Sequence, residues 1–212
     1  MFVRRFSTLL LVVAAFSTLS SAQKADVSFV VGGAFVSEDH VAPGVNCTIP
    51  CPLAFNFRTN THVFYEGTGA VRLANFKVAS LHLEVPVAGI PSAHVDFPGT
   101  PPSNALKISS VFVTPSLRVK FAPGFPISPW ASIGGGWAHY NLSGPSENKG
   151  ALQFGGGVDI KTGIPLLGFR AEVRDFVTGQ PDFGIVSIQT AGSPSLGRRH
   201  SVLAGGGIVL RF

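Results

Sequence analysis

Three groups of residues have types and spacings that bear on chemistry. Cys47 and Cys51, in the run CTIPC, are the two cysteines of the 212-residue chain. In an exported protein such a pair reads as a disulfide, with Ile49-Pro50 able to supply the turn of a small ring. Zinc takes four ligands, so two thiols alone make a poor site; no metal and no other cofactor is expected. Glu66, His82 and Glu84 form the second group. A turn centred near Asn75 brings the two carboxylates close together, with the imidazole beside them, as acid–base work requires. His139, between Trp137 and Tyr140, is the third. The nearest serine in that segment is Ser143, so a His-x-Ser spacing is absent.

The elements that must position these residues are strands. Gly and Pro, 25 and 16 in number, interrupt almost every window in which a helix would form. Alternation of period two recurs instead in eight segments: Asp26 to Ser37, His62 to Leu73, Lys77 to Val87, Ile108 to Phe121, Pro129 to Asn141, Ala151 to Thr162, Gly168 to Val177, and a terminal one ending in Phe212. Short connections follow the second, fourth and sixth segments. Longer ones, Glu38–Thr61, Ala88–Lys107, Leu142–Gly150 and Thr178–Arg199, follow the others. In an up-and-down barrel all short turns then share one end and all long loops the other, the asymmetry of outer-membrane barrels.

Met1 to Ala22 carries a basic start (Arg4, Arg5), an apolar stretch from Leu9 to Phe16 and the triplet Ser20-Ser21-Ala22. That is the pattern of a secretory signal peptide, leaving residues 23–212 as one barrel domain. Of sixteen Lys and Arg, fourteen remain against eleven Asp and Glu, a net charge near +3. So mild a surplus, with no basic run or aromatic–basic platform, argues against nucleic acid as a partner. The densest basic spot, Arg198-Arg199-His200, reads as a loop-to-strand edge.

Each segment has an apolar face and a polar face. A soluble barrel buries the apolar face; a membrane barrel turns it outward. The polar face carries Glu66, Arg72, His82, Glu84, Arg118, Lys120, Asp159, Lys161, Arg170, Glu172 and Arg174 among Ser, Thr and Gly. Both signs are present, so pairs can form; a turn near Ile164-Pro165 sets Asp159 close to opposite Arg170. Eight strands enclose a lumen that side chains can fill. The runs Gly134–Gly136, Gly155–Gly157 and Gly205–Gly207 leave room there for Arg heads and let a narrow barrel bend. A lumen plugged this way gives a substrate no access, so lumen ion pairing is preferred over an acid–base cluster, and no enzymatic activity is expected. Trp137 and Tyr140 are read as an aromatic belt at the membrane interface.

In its leader, its eight segments and its ending VLAGGGIVLRF, the chain resembles the small eight-stranded bacterial outer-membrane β-barrel proteins (the OmpA/OmpW-like barrel superfamily). The stretch SPWASIGGGWAHY is similar to that group's aromatic-plus-glycine strand. The resemblance implies an all-β, eight-stranded antiparallel up-and-down transmembrane β-barrel in the bacterial outer membrane. It also implies that Phe212, with Ile208 and Leu210 on the same face, is read by the barrel-assembly machinery. The expected role is structural or surface-interacting, in a monomer whose partners are outer-membrane lipids and an unidentified extracellular ligand. The alternatives are a narrow channel for small or apolar solutes, a lipid-modifying outer-membrane enzyme with a His near the height of His139, and a soluble ligand-binding barrel.

Overall fold

A computed structural model of the chain describes residues 25–38, 62–95, 106–142, 144–164, 166–179 and 198–212. The expected signal peptide and the Cys47–Cys51 pair lie outside these residues. The described chain is built of strands: β1 (Ala25–Glu38), β2 (His62–Asn75), β3 (Ala79–Val95), β4 (Leu106–Val113), β5 (Ser116–Phe121), β6 (Ile127–Leu142), β7 (Ser146–Lys161), β8 (Leu167–Gly179) and β9 (Arg198–Arg211). Neighbouring strands pair antiparallel, and β4 and β5 form one stave between β3 and β6. The break falls at Thr114-Pro115, because Pro115 has no amide hydrogen to give the ladder.

β9 pairs with β1 over thirteen positions, from Asp26↔Arg211 to Glu38↔Arg199, and so closes eight staves into a barrel. Phe212 extends this seam: its amide donates to the Ala25 carbonyl (2.8 Å) and its carbonyl accepts from the Ala25 amide (3.2 Å). The last residue is thereby held along with the strand that precedes it.

Burial is inverted relative to a water-soluble protein. Arg118 and Arg174 expose nothing, whereas Phe29 and Phe169 are 50% and 51% exposed. Val27, Leu83, Leu117, Ile133, Phe154, Val173 and Ile208 continue the outward apolar wall around the barrel. Monomers in water rarely show contiguous apolar surface beyond a few hundred Å². A wall of this kind around every stave belongs in hydrocarbon, where closure leaves no backbone group unpaired. Among the described residues no helix is long and apolar enough to cross a membrane; the crossing elements are the strands.

Two expected boundaries are corrected. The third strand runs to Val95 and takes in the first part of the expected loop 88–107. β7 starts at Ser146, not Ala151, so the expected loop 142–150 is a tight turn. Leu142 donates its amide to the Pro145 carbonyl there, and Gly144 has φ 145°, a conformation that glycine adopts without penalty. The polar residues Ser146 to Lys149 continue the ladder with β6 instead of looping out. Their polarity marks wall above the apolar band, a distinction that alternation of apolar residues does not report.

The glycine at position 207 is required by the seam. A Cβ there would lie 1.8 Å from the carbonyl oxygen of Phe29 in β1, a backbone atom that cannot swing away. Gly67, on the outer face of β2, has nothing within 4 Å. Gly207→Val is therefore expected to destabilise the barrel by about 3 kcal/mol or more, and Gly67→Val to be near neutral. Urea titration in detergent, read by the heat-modifiable gel shift, compares the two; equal midpoints would contradict the close approach at the seam.

Candidate functional site

The lumen is filled in two tiers, and β8 alone displays both. Its successive inward residues are Arg170, Glu172, Arg174, Phe176 and Thr178, all buried. The half nearer the short turns holds most of the charges; the half nearer the long connections is rich in apolar and aromatic residues, with Ser110, Thr178, Arg199 and Ser201 buried among them.

In the charged tier each guanidinium serves more than one partner. Arg174 reaches Glu66 through Nε (2.9 Å), Glu84 through Nη1 (2.8 Å) and Glu172 through Nη2 (3.3 Å). Arg118 donates from Nη2 to both oxygens of Asp26 (2.9 and 2.8 Å) and faces Glu84 through Nη1 at 3.1 Å. Arg170 grips Asp159 with Nε (2.8 Å) and Nη2 (3.2 Å), and donates from Nη1 to Ser28 (2.9 Å). Lys120 also pairs with Asp159, and Arg211 approaches it to 3.8 Å. Five carboxylates thus face four buried cations and one at the rim, so the tier is close to neutral. Thr68 donates to Glu66 and Ser116 to Glu84. Trp130 stands in the middle, with the guanidinium carbons of Arg174, Arg170 and Arg118 at 5.0, 5.2 and 5.7 Å from its ring centre. Its π face adds attraction that strengthens where water is excluded.

The apolar tier above includes Val30, Phe64, Ala88, Phe112, Ala138, Tyr140, Phe176 and Leu203. Phe112 packs on Phe176 with ring centres 4.7 Å apart and meets the edge of Tyr140 at 6.1 Å. The Tyr140 hydroxyl bonds Thr178 (2.8 Å), and Arg199 lies over the Tyr140 ring.

The sequence-derived residues fall as follows. Glu66, His82, Glu84, Arg118, Lys120, Asp159, Arg170, Glu172 and Arg174 are all buried in the lumen, and Asp159 is the register partner of Arg170. Lys161 is not buried with them: it ends β7 at the rim, exposed, and donates to the Pro123 carbonyl (2.7 Å). Glu66 and Glu84 are not cross-strand neighbours. Glu66 is opposite Ala88 and Glu84 opposite Ala70, and Arg174 brings the two together from across the lumen. His82 bonds Ser80 (2.9 Å) and faces Asp26 at 3.9 Å, so it does not complete a cluster with the glutamates. Tyr140 corrects the aromatic belt. It lies three residues from Trp137, hence on the opposite face, and is fully buried, while Trp137 is exposed on the wall. Ile208, Leu210 and Phe212 face outward. Asp26, Trp130, Phe64, Phe112 and Phe176 are lumen residues that sequence reasoning passes over. Asp26 and Trp130 each share parity with neighbouring serines, Ser28 and Ser128, which is the available signal.

Among the described residues no group of three or more His, Cys, Asp or Glu side chains could hold a metal ion. Removing the cation that joins three carboxylates should show its weight: Arg174→Leu is expected to cost about 3–5 kcal/mol, since it leaves buried charges without their partner. Unfolding in detergent monitored by Trp fluorescence measures it; a loss under about 1 kcal/mol would mean the tier is solvated.

No family model and no curated protein matches the chain. Among solved structures it is similar to Ail, the attachment invasion locus protein of Yersinia pestis (13% identity, 91% of this chain and 100% of that one, TM-score 0.49). It is also similar to a major outer membrane protein from Thermus thermophilus (14%, 91% and 100%, 0.48) and to the outer membrane protein OprG from Pseudomonas aeruginosa (8%, 90% and 95%, 0.48). These are likenesses of overall form and assign no residue a role. The strand order, the seam and the inverted burial are the chain's own, and on them the protein is an eight-stranded antiparallel barrel of the small outer-membrane type.

Proposed function

We propose that the protein is a sealed barrel of the bacterial outer membrane that acts structurally and by presenting its long connections at the cell surface. The observation that carries this reading is the doubly filled lumen. Ionic side chains with mutual partners close one half, and an aromatic-rich cluster closes the other. A solute crossing the charged tier would have to separate Arg174 from three carboxylates and then pass the packed rings of Phe112, Phe176 and Tyr140. A lumen substrate meets the same obstacle, so no reaction is assigned to the interior.

The segments between β1 and β2, β3 and β4, and β8 and β9 join strand ends on the side away from the short turns. In this reading they are the parts of the chain that meet an extracellular partner. Phe212, Leu210 and Ile208 form the outward face of the seam strand, in reach of the machinery that inserts barrels, and the protein works as a monomer in outer-membrane lipid. A narrow channel is the second reading, and the two-tier filling weighs against it.

Two measurements test the proposal together. The protein should fractionate with outer membranes and show heat-modifiable gel mobility. In planar bilayers the folded protein should give no steady conductance. Steady single-channel current from the wild-type protein would replace the sealed barrel with a channel, and recovery of a folded protein without detergent or lipid would remove the membrane placement.

A further inference from the structure

The apolar wall does not stop where the strands turn. The seven most exposed large apolar side chains among the described residues, from Ile127 at 59% to Val78 at 76%, all lie at the short-turn end. Phe76 and Val78 occupy the β2–β3 turn, Phe125 and Ile127 the β5–β6 turn, and Ile164 and Leu166 the β7–β8 turn. Phe212 takes the fourth place, at the seam between β9 and β1. Apolar tips thus stand wherever strands meet at this end, around the whole ring. Leu73, Phe121, Ile160 and Leu210 join them to the wall above. Turns in water are dominated by Gly, Pro, Asn, Asp and Ser. Leu166 instead holds φ 71°, a left-handed conformation that strains leucine and that Gly or Asn would adopt with little cost.

The charges at this end are of one sign. Lys77 and Lys161 are exposed, and Arg72 and Arg211 are half-buried. The carboxylate side chains nearby, Asp26 and Asp159, are buried in the lumen and paired with arginines. The opposite end mixes signs, with Glu147 bonded to Lys149. Lys77 lies between Phe76 and Val78, and Lys161 follows Ile160. A lysine among apolar neighbours lays its stem along them and carries its ammonium out to the headgroups.

We infer that the short-turn end is a lipid-docking surface, seated in the periplasmic leaflet and selective for anionic phospholipid. The apolar tips enter the boundary between acyl chains and headgroups, and Lys77 and Lys161 meet phosphates there. A protein partner fits less well, since it covers one contiguous patch, whereas these tips stand at four places on a ring and continue the lipid-facing wall. They are Phe, Val, Ile and Leu, without the phenol or indole that holds a residue at the water edge, so they draw the turns inward. The surplus of cations then favours a headgroup of net negative charge over a zwitterionic one. The inference rests on the membrane placement proposed above and is independent of the sealed lumen.

The test reconstitutes the full-length folded protein in phosphatidylcholine bilayers. Electron paramagnetic resonance then compares the association of spin-labelled phosphatidylglycerol with that of spin-labelled phosphatidylcholine. A preference of about twofold or more for phosphatidylglycerol is expected, the average over the lipid shell of a roughly fivefold effect beside each lysine. It should fall toward unity in about 1 M salt. Lys77→Gln with Lys161→Gln should remove most of it, whereas Arg198→Gln, at the opposite end, should leave most of it. Phe76→Ser with Val78→Ser keeps both lysines and should lower the preference too, because the turn is no longer held at headgroup depth; charge alone would leave it unchanged. The heat-modifiable band shows that each variant is folded. Equal association of the two lipids with folded wild-type protein overturns the assignment and leaves the tips to a periplasmic protein. A preference that survives the double lysine variant overturns it as well. Loss of the band from the wild-type protein would instead remove the membrane placement, so the two failures are told apart.

Discussion

The ladder between β1 and β9 is the constraint to which the other features answer. In hydrocarbon an unpaired backbone amide costs several kcal/mol, so a sheet with apolar outer faces survives only without edges. Thirteen register pairs and the exchange of hydrogen bonds between Ala25 and Phe212 remove the edge over the full height of the wall. Closure at eight staves fixes the diameter, and the diameter fixes what can stand inside. Strands this close cannot carry a Cβ everywhere. At Gly207 the seam brings a β1 carbonyl into the space that a side chain would need.

A lumen of that width holds a single layer of large side chains from each stave. Charges buried there lose hydration and must recover it from one another. Arginine suits the task because its planar fork serves more than one carboxylate at once. Arg174 does so for Glu66, Glu84 and Glu172, which arrive from β2, β3 and β8. Arg118 and Arg170 converge on Asp26 from β5 and β8. The tier therefore ties non-neighbouring staves across the barrel, a linkage that backbone ladders cannot supply. Trp130 gives the guanidinium faces an aromatic partner where their edges are occupied by carboxylates.

Period-two alternation makes the strand number, the orientation of each face and the Asp159–Arg170 register legible, because each depends only on residues near in sequence. What it does not reach depends on the third dimension. Glu66 and Glu84 meet through a guanidinium from the opposite wall, not through the turn that joins β2 and β3. Phe64, Phe112 and Phe176 sit at inward parity, but an apolar residue at such a position reads as noise until its partners are seen. Grouping Tyr140 with Trp137 follows composition over parity: three residues along a strand is the other face. The polar stretch Ser146–Lys149 reads as loop because a strand above the lipid loses the apolar alternation that identifies it.

The same logic separates wall from lumen as settings for ionisable groups. In the lumen, ionisable groups are numerous, buried and paired with one another, so their number says little about reactivity. On the wall the expectation is reversed, since outward positions over the apolar band meet hydrocarbon. A carboxylate and an imidazole bonded to each other there stand out against Val173, Val177, Phe154 and Val202. Sequence reasoning misses this pair because Asp175 and His200 are twenty-five positions apart and His200 ends a run that reads as a basic loop edge. Only the β8–β9 register, which places Asp175 opposite Val202 and His200 opposite Val177, makes them diagonal neighbours on one face.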